Sequence, residues 1–376
     1  MESLKCPITC EIFTDPVTAD DGHTYERDAI TNWLKQNPTS PMTRESMSIS
    51  SLRPNYIVKK MLEEFQSSMV KKHYHFELNV DIRKTKTRPM FQTPGKTIYE
   101  AEWISRAGPP IVLLKIDGAK ARREAEFYVQ LGCHPHIVRT YGMLESEPNT
   151  LTLVQEFASE GDLSELLREK HFRPSPSVLL ELFIQIADAM VCLADNHIIH
   201  GDLACRNVLV FRMNKFEPKE NLVKLTDFGL TRASTLYTVA GNSASTTMMI
   251  IPVRYVAPEI LQNDHISNYT EKSDVYSMGV LMWEAFSSGQ IPYASIDNDG
   301  DVRQLKLQGN LLNKPDNCDQ ALWNIITDCW QQQPNARPLF KTLKQSLLDL
   351  QFQQRFKYVL IANDTIIIDI TILFLV

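Results

Sequence analysis

The segment IIHGDLACRNVLVF, residues 198–211, sets five polar side chains, His200, Asp202, Cys205, Arg206 and Asn207, between two apolar runs. A buried strand pair would carry Val or Leu there. Burying a polar group without a partner costs about 1–3 kcal/mol, so these groups must be hydrogen-bonded or employed. Asp202 and Asn207 are oxygen-bearing side chains five residues apart, and oxygen donors of this kind suit a hard divalent cation. A further carboxylate, Asp227, follows in KLTDFGL (224–230), and upstream a lone Lys115 interrupts the apolar run PIVLLKI (110–116). The residue types alone leave the roles open.

Elements able to hold such residues are legible around them. PIVLLKI and TLTLVQEF (150–157) read as strands, and KARREAEFYVQL (120–131) as an amphipathic helix. SVLLELFIQIADAMVCLADN (177–196) and DVYSMGVLMWEAF (274–286) are apolar on nearly all sides, as helices inside a large core are. Strands first and buried helices after describe a bilobal α+β enzyme over residues 91–350.

The motifs HGDLACRN, TDFGL, IPVRYVAPEIL (251–261), KSDVYSMGVLMWE (272–284) and CWQQQPNARPLF (329–340) together resemble the protein kinase catalytic domain. The resemblance implies transfer of the γ-phosphoryl group of ATP to a protein hydroxyl, with Mg2+ as cofactor. It implies Asp202 as the base for the hydroxyl proton, and Asn207 and Asp227 as the metal ligands. It makes Lys115 the phosphate-binding lysine, and a carboxylate on the following helix its partner: Glu124 first, Glu126 second. The spacing from Lys115 to Glu124 is short, so that helix or its leading loop is trimmed. Glu156 and Ala158, at the end of TLTLVQEF, fall among the nucleotide-binding positions. Glu259 with Arg337, and Asp274 below the catalytic loop, are expected to be structural, as is His200.

Ala204 and Arg206 stand where serine/threonine kinases carry DLKPEN, which is the tyrosine-kinase arrangement, with Arg206 reaching back toward the reacting oxygen. PVRYVAPE leans the same way, with Tyr255 where tyrosine kinases carry Trp. Two features depart from the family pattern. Gly201 replaces the Arg that usually precedes the catalytic Asp, so the usual receiver for an activation-loop phosphate on Ser234, Thr235, Tyr237 or Thr238 is missing. The glycine-rich phosphate loop is also missing, since PMFQTPGK holds only Gly95. That leaves an alternative open, a kinase-like domain that binds substrates as a scaffold without phosphoryl transfer.

Residues 6–43 begin with turns at Asp15-Pro16 and Asp21-Gly22, around a hairpin pattern VTADDGHTY. Ala29, Ile30, Trp33 and Leu34 then mark one face of a short helix, and a second helical pattern follows Pro54. Cys6, Cys10 and His23 are too few for a closed zinc site, which needs four ligands. They read instead as apolar filler. The pieces CPIT, DPV, DGHTYERDAI, WL and SPMT resemble the U-box, a zinc-free, RING-shaped ubiquitin ligase module. The resemblance implies a groove formed by Ile8, Trp33 and Pro41 that receives an E2 ubiquitin-conjugating enzyme, with ubiquitin as second partner. Thr39 stands where many such modules carry an Arg before the Ser-Pro step.

The expected organisation is therefore a U-box over 1–68, a basic linker passing into an edge strand over 69–90, the kinase domain over 91–350, and a hydrophobic tail over 351–376. Seven cysteines in 376 residues make no disulfide framework, and no apolar leader opens the chain, so a reducing, cytoplasmic location is expected. A net charge of −6 argues against nucleic acid as a partner. The stretch IIIDITILFLV (366–376), with Asn363, Asp364 and Asp369 interrupting the wider run, falls short of the about 20 apolar residues of a spanning helix, so a membrane is not expected either.

Overall fold

The structure is a computed structural model that describes residues 6–9, 13, 15–60, 75–93, 95–104, 107–117, 128, 131–144, 150–168, 172–227, 232–233, 251–263 and 269–362, with backbone alone at 232–233, 263 and 355–362. The chain divides into two compact units, residues 1–75 and 76–376.

In the first unit, β1 (Pro16–Thr18) pairs antiparallel with β2 (Thr24–Glu26), and helix α1 (Arg27–Gln36) follows directly. Strand β3 (Arg53–Pro54) closes the sheet on the other side of β1. Val17 and Tyr25 face each other across the hairpin and are fully buried with Ile30 and Phe13. Hydrogen bonds join the loops of this small unit. The Asp21 carboxylate accepts from Tyr25 Oη at 2.6 Å and from Ser40 Oγ at 2.5 Å. Ser40 Oγ in turn accepts from the backbone N–H of Met42 and Thr43. Cys6 is buried beside them, and its Sγ accepts from Glu26 N. Cys10 lies outside the described residues.

From His75 onward runs a seven-stranded sheet, β4 (His75–Phe76), β5 (Ile82–Lys84), β6 (Phe91–Thr93), β7 (Lys96–Trp103), β8 (Ile111–Asp117), β9 (Thr140–Leu144) and β10 (Thr150–Glu156). Its order is β4-β9-β10-β8-β7-β5, with β6 also on β7. The sheet thus begins at His75, inside the stretch read as linker. That stretch hides its strands because β5 turns only Ile82 inward, while Arg83 and Lys84 stay exposed. Strand β8 is a continuous apolar run because both its faces are covered. Ile111 and Leu113 pack with Ile82, Leu144 and Val154, and Leu114 and Ile116 pack with Tyr128, Leu131 and the helices below.

The helical part contains α2 (Leu163–Arg168), α3 (Pro176–Asp195), α4 (Pro258–Asn263), α5 (Glu271–Phe286), α6 (Asp299–Leu307), α7 (Gln320–Cys329) and α8 (Phe340–Ala362). Ser175 caps α3 by accepting from Val178 N, with Pro176 at the first position where its missing N–H costs nothing. Helix α3 is long and apolar enough to cross a membrane, but its two faces are buried against α5 and α8. Helix α8 buries Leu343, Leu347 and Leu350 and continues to Ala362, past the boundary expected at 350. The hydrophobic stretch beyond it lies outside the described residues, as do residues 118–127 of the segment expected to be helical over 120–131, with Glu124 and Glu126, and the segment carrying Tyr237.

Candidate functional site

Two short antiparallel ribbons hold the catalytic loop below the sheet: β11 (Ile198–Ile199) with β14 (Arg232–Ala233), and β12 (Val208–Arg212) with β13 (Leu222–Leu225). Residues 200–207 bridge from β11 to β12 and carry His200, Asp202, Arg206 and Asn207. Asp274, at the start of α5, braces this loop from inside. Its two carboxylate oxygens accept from His200 N at 2.8 Å and Gly201 N at 2.9 Å. Gly201 has φ +80°, a left-handed conformation that glycine adopts without penalty. The chain thereby turns both amides onto one carboxylate. His200 is fully buried; its Nε2 faces the Thr226 carbonyl at 3.1 Å and its Nδ1 accepts from Asp202 N at 3.2 Å. Burial holds this imidazole below its ordinary pKa, and its role is structural.

Asp202 sits at the centre. Asn207 Nδ2 donates to its backbone carbonyl at 2.6 Å and to its Oδ2 at 3.0 Å, and Arg206 Nη2 holds Oδ1. Burial raises the Asp202 pKa, against the lowering charge of Arg206. Because Asn207 spends its nitrogen on Asp202, its amide oxygen is the end left to face the site. Asp227 follows Thr226, whose N–H donates to Asn207 O at 3.0 Å. Asp227 has φ +63°, a conformation Asp tolerates better than most residues. It brings a second oxygen donor to the same place. An amide oxygen and a carboxylate are the hard donors a Mg2+ ion takes, so the residues fit that ion.

The structure places Lys115 beside Asp117, and its expected helix partners Glu124 and Glu126 lie outside the described residues. Along β8 successive side chains alternate between faces of the sheet. Lys115 lies opposite Thr97 and Thr152, on the face of Leu113, Tyr99 and Val154. Its ammonium pairs with Asp117 at 3.3 Å, and its charge depresses the pKa of Lys84, secondary to burial of Lys84. Lys84 itself stacks 3.4 Å from the Tyr99 ring centroid. The cleft-side face carries Leu114, Ile116 and, opposite Ile116, Lys96. Lys96 Nζ reaches Asp227 Oδ1 at 2.5 Å. Lys115 is the immediate neighbour of Leu114 and Ile116, so period-two alternation turns it to the opposite face from theirs.

Lys96 stands directly after the turn that replaces the glycine-rich loop. Thr93 pairs with Lys96, so only two residues separate β6 from β7, and Gly95 (φ +94°) accepts at its carbonyl from Asp117 N.

Glu156 is structural in its side chain. It accepts from Lys224 Nζ at 2.6 and 2.8 Å and from Arg139 N at 2.7 Å, which ties β10 to β13. Ala158 is buried in the segment linking β10 to α2, and its carbonyl accepts from Gly161 N. Glu284, which nothing in the sequence singled out, anchors the loop a second time. Its buried carboxylate accepts from Cys205 N at 3.1 Å and Tyr255 Oη at 3.2 Å. Glu259 and Arg337 form the expected bidentate pair at 2.7 and 2.8 Å, with Arg337 fully buried.

In the first unit, Trp33 lies on the exposed side of α1 and its Nε1 donates to Thr39 O at 2.9 Å, two residues before Pro41. Pro41 is half-buried, and half-buried Ile8 packs on the edge of the core around Cys6 and Tyr25. An indole fastened to the Thr39 turn is a fixed apolar surface of the kind a partner can use.

Comparison with known proteins agrees with this geometry. The family described as "Protein tyrosine and serine/threonine kinase" matches residues 115–347, and the U-box domain family matches residues 2–71. The tyrosine-protein kinase transforming protein Fps of avian sarcoma virus (strain PRCII) is 34% identical over 239 residues, which is 63% of this chain and 42% of that protein. The cytoplasmic tyrosine-protein kinase BMX of Homo sapiens is 35% identical over 229 residues, 61% of this chain and 31% of that protein. The insulin-like growth factor 1 receptor of Bos taurus is 33% identical over 237 residues, 60% of this chain and 34% of that protein. This chain therefore spans less than half of each relative's length. An aspartate held by Asn207 and Arg206 beside a second aspartate, within a match covering most of the chain, makes this protein a member of the protein tyrosine and serine/threonine kinase family with a U-box domain ahead of its kinase domain.

Proposed function

We propose that the kinase domain transfers the γ-phosphoryl group of ATP to tyrosine hydroxyls of protein substrates, and that the U-box recruits an E2 enzyme and promotes ubiquitin transfer. The observation that carries the first half is the Asp202 constellation. Its carboxylate is raised in basicity by burial, opposed by the charge of Arg206, and held by Asn207, which suits a group that accepts a hydroxyl proton. Asn207 and Asp227 would hold Mg2+, which neutralises phosphate charge in this chemistry. Arg206, stacked over Tyr255 at 4.7 Å from the ring centroid, keeps Asp202 in register with the segment around Pro252. That arrangement, with Ala204 in place of a lysine, favours a phenolic over an aliphatic hydroxyl. The tyrosine-kinase names of the relatives support the same choice. The protein would work in the cytoplasm, where cysteines such as Cys133 and Cys192 stay reduced.

The test is autophosphorylation and peptide phosphorylation by the full chain with Mg2+ and ATP, read by phosphotyrosine detection, beside Asp202→Asn. Loss in the variant with phosphotyrosine in the wild type meets the expectation; phosphoserine or phosphothreonine alone sinks the tyrosine assignment. In parallel, Ile8→Ala should abolish E2-dependent ubiquitin chain formation and leave phosphoryl transfer intact. One observation favours a second reading, a binding domain without transfer: the two-residue β6–β7 turn offers no loop to cover phosphates. Nucleotide binding without any phosphoryl transfer would select it.

A further inference from the structure

We infer that Lys306, in the last turn of α6, is a positioning residue for the protein substrate: it fixes segment 252–255 beside the Asp202 carboxylate. The inference rests on the phosphoryl-transfer half of the function proposed above.

The segment borders the reacting centre. Tyr255 lies against the Arg206 guanidinium, which grips Asp202, and Tyr255 Oη donates to Glu284. Ahead of it, Ile251, Pro252 and Val253 are half-buried, so an apolar strip that a bound chain can reach runs up to the catalytic loop. A substrate hydroxyl meets Asp202 only if the chain carrying it rests at a fixed height on that strip. A misplacement of about 1 Å can cost about a hundredfold in rate.

Two carbonyls of the strip depend on one side chain. Within the segment, Val253 N donates to Ile251 O, and Tyr255 N and Val256 N donate to Pro252 O. Ser277 Oγ donates to Tyr255 O. The carbonyls between them, those of Val253 and Arg254, both accept from Lys306 Nζ, at 3.0 and 3.2 Å. Holding two consecutive carbonyls from one point sets both the height and the rotation of the peptide planes there.

An ammonium is a costly group to use for this. Lys306 is fully buried, with its Nζ 5.0 and 5.9 Å from the ring centroids of Tyr276 and Tyr293. The carboxylate whose charge favours it, Glu259, is already held by Arg337 through two bonds. Lysine is almost never fully buried without a paired charge. A Leu or Met would fill the same space without that cost, but would leave both carbonyls unpaired.

The same helix grips the segment from its other end. Arg254 Nε pairs with Asp299, in the first turn of α6, at 2.9 Å, and its Nη1 and Nη2 donate to the carbonyls of Pro292, Tyr293 and Ile296. Tyr293 is held at φ +56°, a conformation that bulky residues rarely adopt, and its ring covers Lys306. Arg303, one turn before Lys306, donates to the Leu261 carbonyl in α4. Helix α6 and the strip are thus clamped into one piece, and Lys306 is the contact on the strip's own backbone.

The experiment uses the full chain with Mg2+ and ATP, and a fluorescein-labelled poly(Glu,Tyr) copolymer as acceptor. Four proteins are compared: wild type, Lys306→Met, Lys306→Gln and Leu343→Ala. Leu343 is buried in α8, which packs on α3 and α7, so its variant controls for lost stability. Two rates are read below every melting midpoint: transfer to the copolymer, and hydrolysis of ATP without it, which uses the same catalytic loop but no acceptor chain. We expect Lys306→Met to lower kcat/KM for the copolymer about tenfold or more, with ATP hydrolysis within about twofold of wild type. Lys306→Gln, with two donor hydrogens on a shorter stem, should lie between, and carries the comparison if Lys306→Met does not fold. Leu343→Ala should keep the wild-type ratio of the two rates. Loss of both rates in equal proportion in the Lys306 variants, or unchanged transfer to the copolymer, would overturn the inference and leave the kinase reading standing. If wild type transfers nothing, fluorescence anisotropy of the copolymer decides. Binding that Lys306→Met weakens about fivefold or more keeps the role of Lys306 while the transfer reading falls. Binding that it leaves unchanged, or no binding by wild type, overturns both.

Discussion

The Arg206 guanidinium lies 4.7 Å from the centroid of the Tyr255 ring while it also grips the Asp202 carboxylate. Tyr255 in turn donates to Glu284, which receives Cys205 N from the same loop. Stacking and charge thus fix one end of the catalytic loop to the segment after the activation loop. A lysine could match the charge but not the planar, multi-donor guanidinium that reaches ring and carboxylate together.

Removing that cation has a defined pH consequence. Burial already lifts the Asp202 pKa and Arg206 pulls it back down. Arg206→Ala should therefore raise it further, so the acidic limb of the kcat profile moves to higher pH, with a lower plateau. Arg206→Lys should show a smaller shift. A pH–rate series on a tyrosine peptide checks this, and an unmoved acidic limb would refute it.

Asp274 holds two buried amides of residues 200 and 201. Asp274→Ala leaves both donors without a partner, at about 1–3 kcal/mol for each unsatisfied group. Urea unfolding should show a loss of about 2–6 kcal/mol, and phosphoryl transfer should fall further than stability alone explains, because Asp202 follows directly. Asp274→Asn, which keeps one acceptor, should lie between.

The Arg337–Glu259 pair predicts a larger loss. Arg337 is fully buried and also donates to the carbonyls of Gln331 and Lys272. Breaking a buried pair by removing one partner costs about 3–5 kcal/mol. Glu259→Ala should lower kinase-domain stability by that amount in denaturant melts. The double variant Glu259→Ala with Arg337→Met should recover part of it, since the stranded charge is gone.

Lys306 is fully buried, donating to the carbonyls of Val253 and Arg254 beside the rings of Tyr276 and Tyr293. Burial pushes its pKa down to about 7 from the ordinary 10.5. The unfolded chain then binds more protons than the folded one between those two values, so this residue's contribution to stability rises with pH across that window. The rise is limited to about 1.4 kcal/mol per pH unit. Lys306→Met should flatten that slope; equal slopes in both proteins between pH 7 and 10 would count against it.

In the U-box, the Ser40 hydroxyl serves Asp21, Met42 N and Thr43 N and also lies 3.4 Å from Tyr25 Oη. Ser40→Ala should destabilise residues 6–60 by about 1–3 kcal/mol, read by the fluorescence of Trp33, and should also weaken E2 binding because Trp33 is tied to Thr39 beside it. Kinase melting should not change.

What the sequence determined by itself is the set of residues that contact one another locally or through fixed motif spacing. Asp202, Arg206 and Asn207 lie within five residues, and the turn chemistry and β-branched flanks of 198–211 force them onto one loop. The hairpin and helix of the U-box, and the pairing of Glu259 with Arg337, follow from patterns of the same kind. Tertiary structure decided which face of β8 looks into the cleft. A strand shows its two faces only through its neighbours, and IVLLKID is apolar on both because helices cover one side and β5 with Trp103 the other. Period two gives no clue there, so the sequence could not show to which face Lys115 turns. Glu284 was hidden for a related reason: in α5 it sits among Val, Leu, Met and Trp, and only the fold brings Cys205 and Tyr255 to it from 79 and 29 residues away.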